Sequence, residues 1–181
     1  MRKLLLIASA IALCTLSGVA AYVGARPAAV EWREIAWPFP RDGWPAGRAF
    51  RCEPARCGEA IELYVRPKVG FCNCDSGVAD DDEVDRVADL DLISPRFAAD
   101  EPGRAVRLAD MTGRMRSYSL QLPDGSRHAA LGIALSRRCD LMVAAARGAS
   151  DLRLQHATLD FLGKNDMRHW MTAALDGRAG P

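Results

Sequence analysis

Apolar and polar side chains alternate along the chain from Ile61 to Arg66. This period of two predicts a strand with one face buried and the other exposed. Pro67 follows directly, and because proline cannot donate a backbone hydrogen bond, it predicts an edge strand or a bulge at this point. Further along, residues 94–103 contain Ser94-Pro95 and end in Gly103, and they predict a loop.

A clearer alternating pattern surrounds the sequence Pro123-Asp124-Gly125. Apolar residues occupy every second position from Tyr118 to Leu122 and again from Ala129 to Leu135. Two such runs joined by a short turn sequence predict a β-hairpin. A third apolar run, Leu141 to Ala146, predicts another strand that extends the hairpin into a meander.

Two other segments show helical spacing. The acidic run Asp80 to Glu83 precedes apolar residues three or four positions apart. It predicts a short helix capped by Asp80 or Asp81, because carboxylates accept the unpaired N–H groups of a helix N-terminus. The second segment predicts an amphipathic C-terminal helix that is capped by Asn165 and closed by Gly177. Its apolar positions are Leu159, Leu162, Met167, Trp170, Met171 and Ala174.

The order of these elements predicts the fold class. Strands come first, one short helix lies in a connection, and a helix comes last. We therefore predict an α+β fold: a small antiparallel sheet, built as a hairpin or meander, with a short acidic-capped helix and a C-terminal amphipathic helix packed on one face. Because strands and helices do not alternate along the chain, a parallel dinucleotide-binding sheet is not expected.

The N-terminal segment, residues 1–25, has the layout of an export signal. Arg2-Lys3 precede an uncharged apolar stretch that ends in small residues, and cleavage is expected after Ala21 or Ala25. The alternative is an uncleaved membrane anchor, since about 20 apolar residues can span a bilayer. Both interpretations place the rest of the chain outside the cytoplasm, in the periplasm or on the outer face of the inner membrane.

Residues 26–47 form a segment rich in tryptophan and proline, and residues 48–177 form the predicted domain. Proline favours extended backbone, so this segment is expected to lie extended on the domain surface. Its tryptophans, Trp32, Trp37 and Trp44, either fill gaps in the core or form an exposed aromatic platform for a partner or a sugar-like ligand.

Composition and charge narrow the possible functions. The chain has 181 residues, 49% of them hydrophobic, and carries 24 basic against 23 acidic residues. This near balance, without clustered basic and aromatic residues, excludes a nucleic-acid surface.

The charge is uneven, however, because the stretch from Asp75 to Asp91 holds eight acidic residues and one basic residue. This stretch predicts a solvated helix end or, alternatively, a docking patch for a basic partner.

Five cysteines lie after residue 25: Cys52, Cys57, Cys72, Cys74 and Cys139. Most are expected to form disulfides in an oxidising compartment. Sequence alone leaves the pairing open, and we favour bridges between the Cys52/Cys57 and Cys72/Cys74 motifs over one bridge within each motif. Cys139 is then the expected unpaired cysteine, either a reactive thiol or an inert buried one.

A metal site is a second hypothesis for the same region. Cys72 and Cys74 have the soft thiolates that Cu(I) or zinc prefers. Asp75, Asp80 and Asp82 have the carboxylates that Ca²⁺ prefers, although their spacing does not follow the EF-hand template. The absence of any cofactor is the main expectation, with calcium or copper as the alternatives.

The short sequence signatures of common enzymes are missing. We therefore predict an exported, disulfide-stabilised binding or accessory protein of a bacterial-type envelope, acting on a protein or a small ligand there. It would contact the membrane only through residues 1–25, if these are retained. The alternative function is that of a thiol-active protein, which exchanges disulfides or handles Cu(I) through the Cys72-Asn73-Cys74 pair.

Overall fold

The computed structural model describes residues 31–70 and 74–177, so residues 1–25 lie outside the described part of the chain. The strands are β1 (Trp32–Ile35), β2 (Arg48–Cys52), β3 (Ile61–Lys68), β4 (Phe97–Ala99), β5 (Arg104–Leu108), β6 (Met111–Gln121), β7 (Arg127–Arg137) and β8 (Asp140–Gly148). The helices are α1 (Pro54–Cys57), α2 (Asp81–Val87), α3 (Leu90–Ile93), α4 (Asp151–Leu162) and α5 (Asn165–Leu175).

The strands form one antiparallel sheet in the order β1-β2-β3-β8-β7-β6-β4, and β5 also pairs with β6. The predicted α+β class, hairpin and meander are confirmed, since β6, β7 and β8 are consecutive neighbours. Gly125 permits the tight turn of the hairpin because it adopts a φ of +85°, a conformation that other residues rarely adopt. The sheet is larger than predicted, because four short strands add to its edges.

The two faces of the sheet bury different side chains. We call the face that shares a buried cluster with α4 and α5 the α4 face, and the opposite face, which shares its clusters with α2 and α3, the α2 face. The strand residues in the α4-face cluster are Phe50, Cys52, Ile61, Leu63, Val65, Met111, Met115, Leu131, Ile133, Leu135, Met142, Ala144 and Ala146. Those in the α2-face clusters are Tyr118, Leu120, Ala130, Ala134, Leu141, Val143 and Ala145.

Strand β3 differs most from its prediction. All eight of its residues are buried, and it lies inside the sheet between β2 and β8 rather than at an edge. Pro67 is tolerated because the ladder with β2 ends at the Arg48–Val65 pair, so that β3 has only β8 as its neighbour at Pro67. The predicted exposed face of β3 is therefore covered, although it carries charged side chains.

Two other boundaries were wrong. The predicted loop at residues 94–103 contains β4, which pairs with Leu120, Ser119 and Tyr118 of β6. The predicted C-terminal helix is two helices separated at Gly163-Lys164, and Asn165 is the first helical residue of α5 rather than its cap. The chain does end its last helix close to Gly177, which has a φ of +67°.

Gly113 marks a close approach between β6 and β7. A Cβ atom at this position would lie 1.9 Å from the carbonyl oxygen of Ala134, which is backbone and cannot move aside. We expect Gly113→Ala to lower the free energy of unfolding by about 1–3 kcal/mol, the usual effect of overpacking. Thermal unfolding followed by circular dichroism measures this change. Thr112→Ala, an exposed neighbour on the same strand, is the control, and equal melting temperatures for the two variants would contradict the prediction.

Candidate functional site

The described cysteines form two disulfides, Cys52–Cys57 and Cys74–Cys139. The predicted cross-pairing of the two motifs is therefore wrong. Cys52 ends β2 and Cys57 ends α1, and this single helical turn brings their Cα atoms to 6.0 Å. Cys139 lies in the turn between β7 and β8, where its Cα atom is 4.3 Å from that of Cys74. The two bridges indicate a disulfide-stabilised protein in a non-reducing setting.

These bridges change the hypotheses about free thiols. Cys139 was the expected unpaired cysteine, and this is wrong because it is bonded to Cys74. A bridge between Cys72 and Cys74 is wrong for the same reason, and a thiolate pair for disulfide exchange or Cu(I) is not formed while Cys74 is oxidised. Cys72 lies outside the described residues.

The acidic segment folds as predicted at its start. The side chain of Asp80 caps α2 by accepting a hydrogen bond from the backbone N–H of Glu83, at 2.9 Å. Asp82 is exposed and makes no hydrogen bond or ion pair with the other described residues. The predicted calcium ligands Asp75, Asp80 and Asp82 do not converge, and no group of three His, Cys, Asp or Glu side chains in the described chain is arranged to hold a metal ion.

Three other acidic residues of this segment bind the sheet instead of facing solvent. Asp81, Asp85 and Asp89 are spaced four residues apart, which places the first two on one face of α2. This face lies against the α2 face of the sheet, where basic side chains are their partners. The pairs are Asp81–Arg114 at 2.6 Å, Asp85–Arg116 at 2.9 Å, Asp89–Arg66 at 2.6 Å and Asp89–Lys68 at 2.6 Å. Three of the eight acidic residues of the stretch are thus paired with basic residues of the sheet.

A row of charged and polar side chains lies on the α2 face of β3. Glu62 is only 9% exposed and accepts hydrogen bonds from Arg51, Arg147 and Tyr64. Burial opposes its ionisation, but these hydrogen bonds hold the pKa of Glu62 below its ordinary value. Arg51, Glu62 and Arg147 are direct partners across three neighbouring strands, so the sheet register itself aligns them.

Arg66 and Lys68 continue this row and are 3% and 5% exposed. The guanidinium of Arg66 binds both Asp89 and Asp42 through two hydrogen bonds each. Asp89 adopts a left-handed backbone conformation, with a φ of +62°, between α2 and α3. Because this conformation is costly for a residue other than glycine, the ion pairs with Arg66 and Lys68 help to hold it.

Residues 36–47, which we call the strap, cover this charged row. Trp37 and Phe39 pack edge-on against Tyr64, with ring centroids at 6.1 Å and 4.7 Å. Asp42 lies in the strap, and its hydrogen bond from Arg66 lowers the pKa of the Asp42 carboxyl to about 2. The strap therefore keeps its ion pair with Arg66 over the whole physiological pH range. Trp37 and Phe39 are half-buried against Tyr64, and neither belongs to a buried apolar cluster of the described residues.

Trp32 lies on the opposite side of the sheet, on the α4 face. Its indole stacks on Phe161 of α4 at 4.8 Å, and Phe161 packs edge-on against Phe50 of β2, also at 4.8 Å. These three rings line a cavity of about 230 Å³ between the β1–β2 edge and the turn from α4 to α5. The indole N–H of Trp32 is buried without a hydrogen-bond partner among the described residues. Sequence reasoning could not separate this tryptophan from the two that lie on the strap side.

Charged side chains complete the same cavity. Arg48 donates two hydrogen bonds to Glu34, at 2.8 and 2.6 Å, and its guanidinium lies 4.9 Å from the ring centre of Phe50 and 5.3 Å from that of Trp170. The hydrogen bond from Arg48 lowers the pKa of Glu34, so Glu34 stays ionised at neutral pH. Lys164 lies over Phe161, with its Nζ atom 5.7 Å from the ring centre. The cavity thus combines a partly exposed indole with an ion pair and a lysine, while Phe50 and Phe161 beneath them are 3% and 8% exposed.

The chain matches no protein-family model and no curated protein sequence. The interpretation of the site therefore depends on its geometry alone. None of the helices in residues 31–70 and 74–177 has the length and hydropathy of a membrane-spanning segment.

The contacts of Asp85 with the sheet predict that Asp85 contributes more to the free energy of unfolding than Asp82, which also lies in α2. Asp85 accepts hydrogen bonds from Arg116 and from the hydroxyl of buried Tyr118, whereas Asp82 is exposed. We expect Asp85→Asn to lower the free energy of unfolding by about 1–2 kcal/mol, because a buried hydroxyl and a guanidinium lose an ionised acceptor. Asp82→Asn should change it by less than about 0.5 kcal/mol. Urea denaturation compares the two, and equal effects would show that the contacts of Asp85 with the sheet do not stabilise the fold.

Two buried tyrosines predict how stability depends on alkaline pH. Burial, followed by hydrogen bonds to Glu62 and Asp85, raises the pKa of Tyr64 and Tyr118 above the ordinary value of 10.0. The folded state therefore holds these protons more tightly than the unfolded state, so their contribution to stability is complete below about pH 10 and is lost as the pH rises further. We expect their tyrosinate absorbance to appear together with unfolding measured by circular dichroism. Titration of both phenols near pH 10 in protein that is still folded would contradict this.

Proposed function

We propose that this protein is an exported binding module and that its ligand occupies the cavity lined by Trp32, Phe50, Phe161, Arg48 and Glu34. The ligand class that fits is a small polar molecule with one apolar face, such as a saccharide ring. The observation that carries the proposal is the joint presence, in one cavity, of three aromatic rings and a charged pair held in place.

The aromatic rings support this ligand class. A flat apolar face of a ligand can pack on an indole or phenyl ring, while its hydroxyl groups reach the surrounding donors and acceptors. Trp32 and Phe161 stack at 4.8 Å, so the position of the indole ring is set before a ligand arrives.

The charges of the cavity favour binding over catalysis. Glu34 is fixed by two hydrogen bonds from Arg48 and stays ionised, which makes it a hydrogen-bond acceptor rather than a general acid. The described residues that line the cavity include no serine, cysteine or histidine, and we assign its two carboxylates, Glu34 and Asp166, the role of hydrogen-bond acceptors. The arrangement is suited to orienting a ligand through hydrogen bonds.

Export is supported by two independent features. The two disulfides require a setting in which thiols are oxidised. The basic and apolar residues of the N-terminal segment have the layout of a signal peptide or membrane anchor. We infer that the domain acts in the periplasm or on the outer face of the inner membrane, where envelope saccharides are available ligands.

The binding proposal can be tested by tryptophan fluorescence. Chitotriose and maltotriose serve as probes, at concentrations up to about 10 mM, the range in which weak saccharide binding is detected. We expect a saturable change in fluorescence with at least one probe, because Trp32 lines the cavity and Trp170 lies next to it. Trp32→Ala should abolish the saturable change.

Trp44→Ala is the matched control, since Trp44 lies on the strap, on the other side of the sheet, near Lys68. This variant should keep the affinity of the natural protein. No response to either saccharide would contradict the ligand class. A response that Trp32→Ala leaves unchanged, or that Trp44→Ala removes, would place the ligand elsewhere and overturn the proposed site.

A further inference from the structure

The outer edge of β6 is covered by two short strands that differ in chemistry. Strand β5 carries Arg104 and Arg107, both exposed, and charged side chains on an edge strand discourage pairing with other chains. Strand β4 consists of Phe97, Ala98 and Ala99 and carries no charge. The two stretches of this edge therefore differ in charge, since β5 carries two arginines and β4 carries none.

The backbone of β4 is open on its outer side. The N–H of Asp100 donates to Ser117 and the N–H of Gln121 donates to Arg96, so Arg96 and Asp100 direct these backbone groups towards β6. In an antiparallel pair, successive residues point their N–H and C=O groups to opposite sides. Phe97 and Ala99 consequently direct theirs outwards, and no further strand of the described chain pairs with β4 there.

A cavity of about 430 Å³ lies at this edge. It is lined by Arg96, Phe97, Ala98, Ser119, Leu120, Gln121 and Arg127, and none of these described residues comes from a helix. Gln121 lies between Arg96 and Arg127, because it bonds to the first and is the register partner of the second. The open edge of β4 therefore continues into a shallow groove across the end of the sheet.

The charge of this groove is positive. Neither Arg96 nor Arg127 forms an ion pair with a carboxylate in the described part of the chain. Asp100, an acidic residue nearby, accepts a hydrogen bond from Ser119 at 2.8 Å. Two guanidinium groups without carboxylate partners attract anionic groups and can bind carboxylates through paired hydrogen bonds.

We propose that the open edge of β4 binds an extended acidic segment of a partner protein, which adds a strand to the sheet. The outward backbone groups of Phe97 and Ala99 would pair with the added strand, acidic side chains on one of its faces would bind Arg96, and Arg127 would add positive charge on the inner side of the groove. Addition of a strand is a common way in which sheet edges recognise peptides, with backbone hydrogen bonds giving affinity and side chains giving selectivity. This surface is separate from the aromatic cavity and does not depend on the function proposed for it.

The experiment uses a fluorescein-labelled peptide that alternates glutamate and valine over eight residues, with fluorescence anisotropy as the measurement. A peptide of the same length that alternates lysine and valine is the charge control. We expect saturable binding of the acidic peptide alone. Arg96→Glu/Arg127→Glu should weaken its binding at least tenfold, whereas Arg107→Glu, at the neighbouring edge, should have a much smaller effect.

Ala99→Pro separates strand addition from simple charge attraction. Proline removes the outward N–H of residue 99 without removing a hydrogen bond to β6, and it is tolerated on an edge strand. We expect this variant to keep its melting temperature and to lose at least tenfold in affinity for the acidic peptide. Unchanged affinity in Ala99→Pro, or equal losses in Arg107→Glu and the double variant, would overturn the proposal in favour of nonspecific attraction. Absence of binding would also overturn it.

The open edge of β4 could instead pair with a second copy of this chain, and this alternative is tested separately. The oligomeric state of the natural protein and of Ala99→Pro is therefore measured by analytical ultracentrifugation. A monomer in both cases agrees with the proposal. A dimer that Ala99→Pro converts to a monomer would overturn it, because the edge would then be occupied by another copy of the sheet.

Discussion

The ion pairs between α2 and the sheet determine how the second layer of this protein is placed. Asp81 and Asp85 project from one face of α2 onto Arg114 and Arg116, and Asp89 continues the line to Arg66 and Lys68. These contacts hold the helix in one orientation, with Val84 and Val87 buried against the sheet. The apolar contacts contribute the area removed from water, and the ion pairs specify which face of the helix is turned inwards.

The sequence was sufficient for the features that depend on local pattern. The hairpin of β6 and β7, the meander with β8 and the cap at Asp80 follow from alternation, turn residues and a carboxylate at a helix start. Strand β3 could not be predicted in the same way, because its polar face is buried only when residues far apart in sequence provide partners. Asp42 and Asp89 are 24 and 23 residues away from Arg66 in sequence, and only the folded structure brings them into contact with it.

The candidate sites, too, could be predicted only where they depend on residues that are close in sequence. The spacing of Asp81, Asp85 and Asp89 is a signal that was present in the sequence, and the excess of basic charge elsewhere in the chain could have indicated its partner. The disulfide pairing could not be derived, since the turn that brings Cys139 to Cys74 depends on the register of β7 and β8. The aromatic cavity combines β1, β2, α4 and α5, and no spacing along the chain indicates that these four elements meet.

The Cys74–Cys139 bridge has a consequence for how quickly the sheet can form. The central pairing of β3 with β8 joins segments that are far apart in sequence, and such pairings slow folding because a long loop must close first. The bridge spans 65 residues and joins Cys74, six residues after the end of β3, to Cys139, directly before the start of β8. In a chain that has already formed this bond, the loop between Cys74 and Cys139 is closed before β3 and β8 pair. Oxidation therefore favours rapid assembly of the sheet, and a reduced chain remains unfolded for longer.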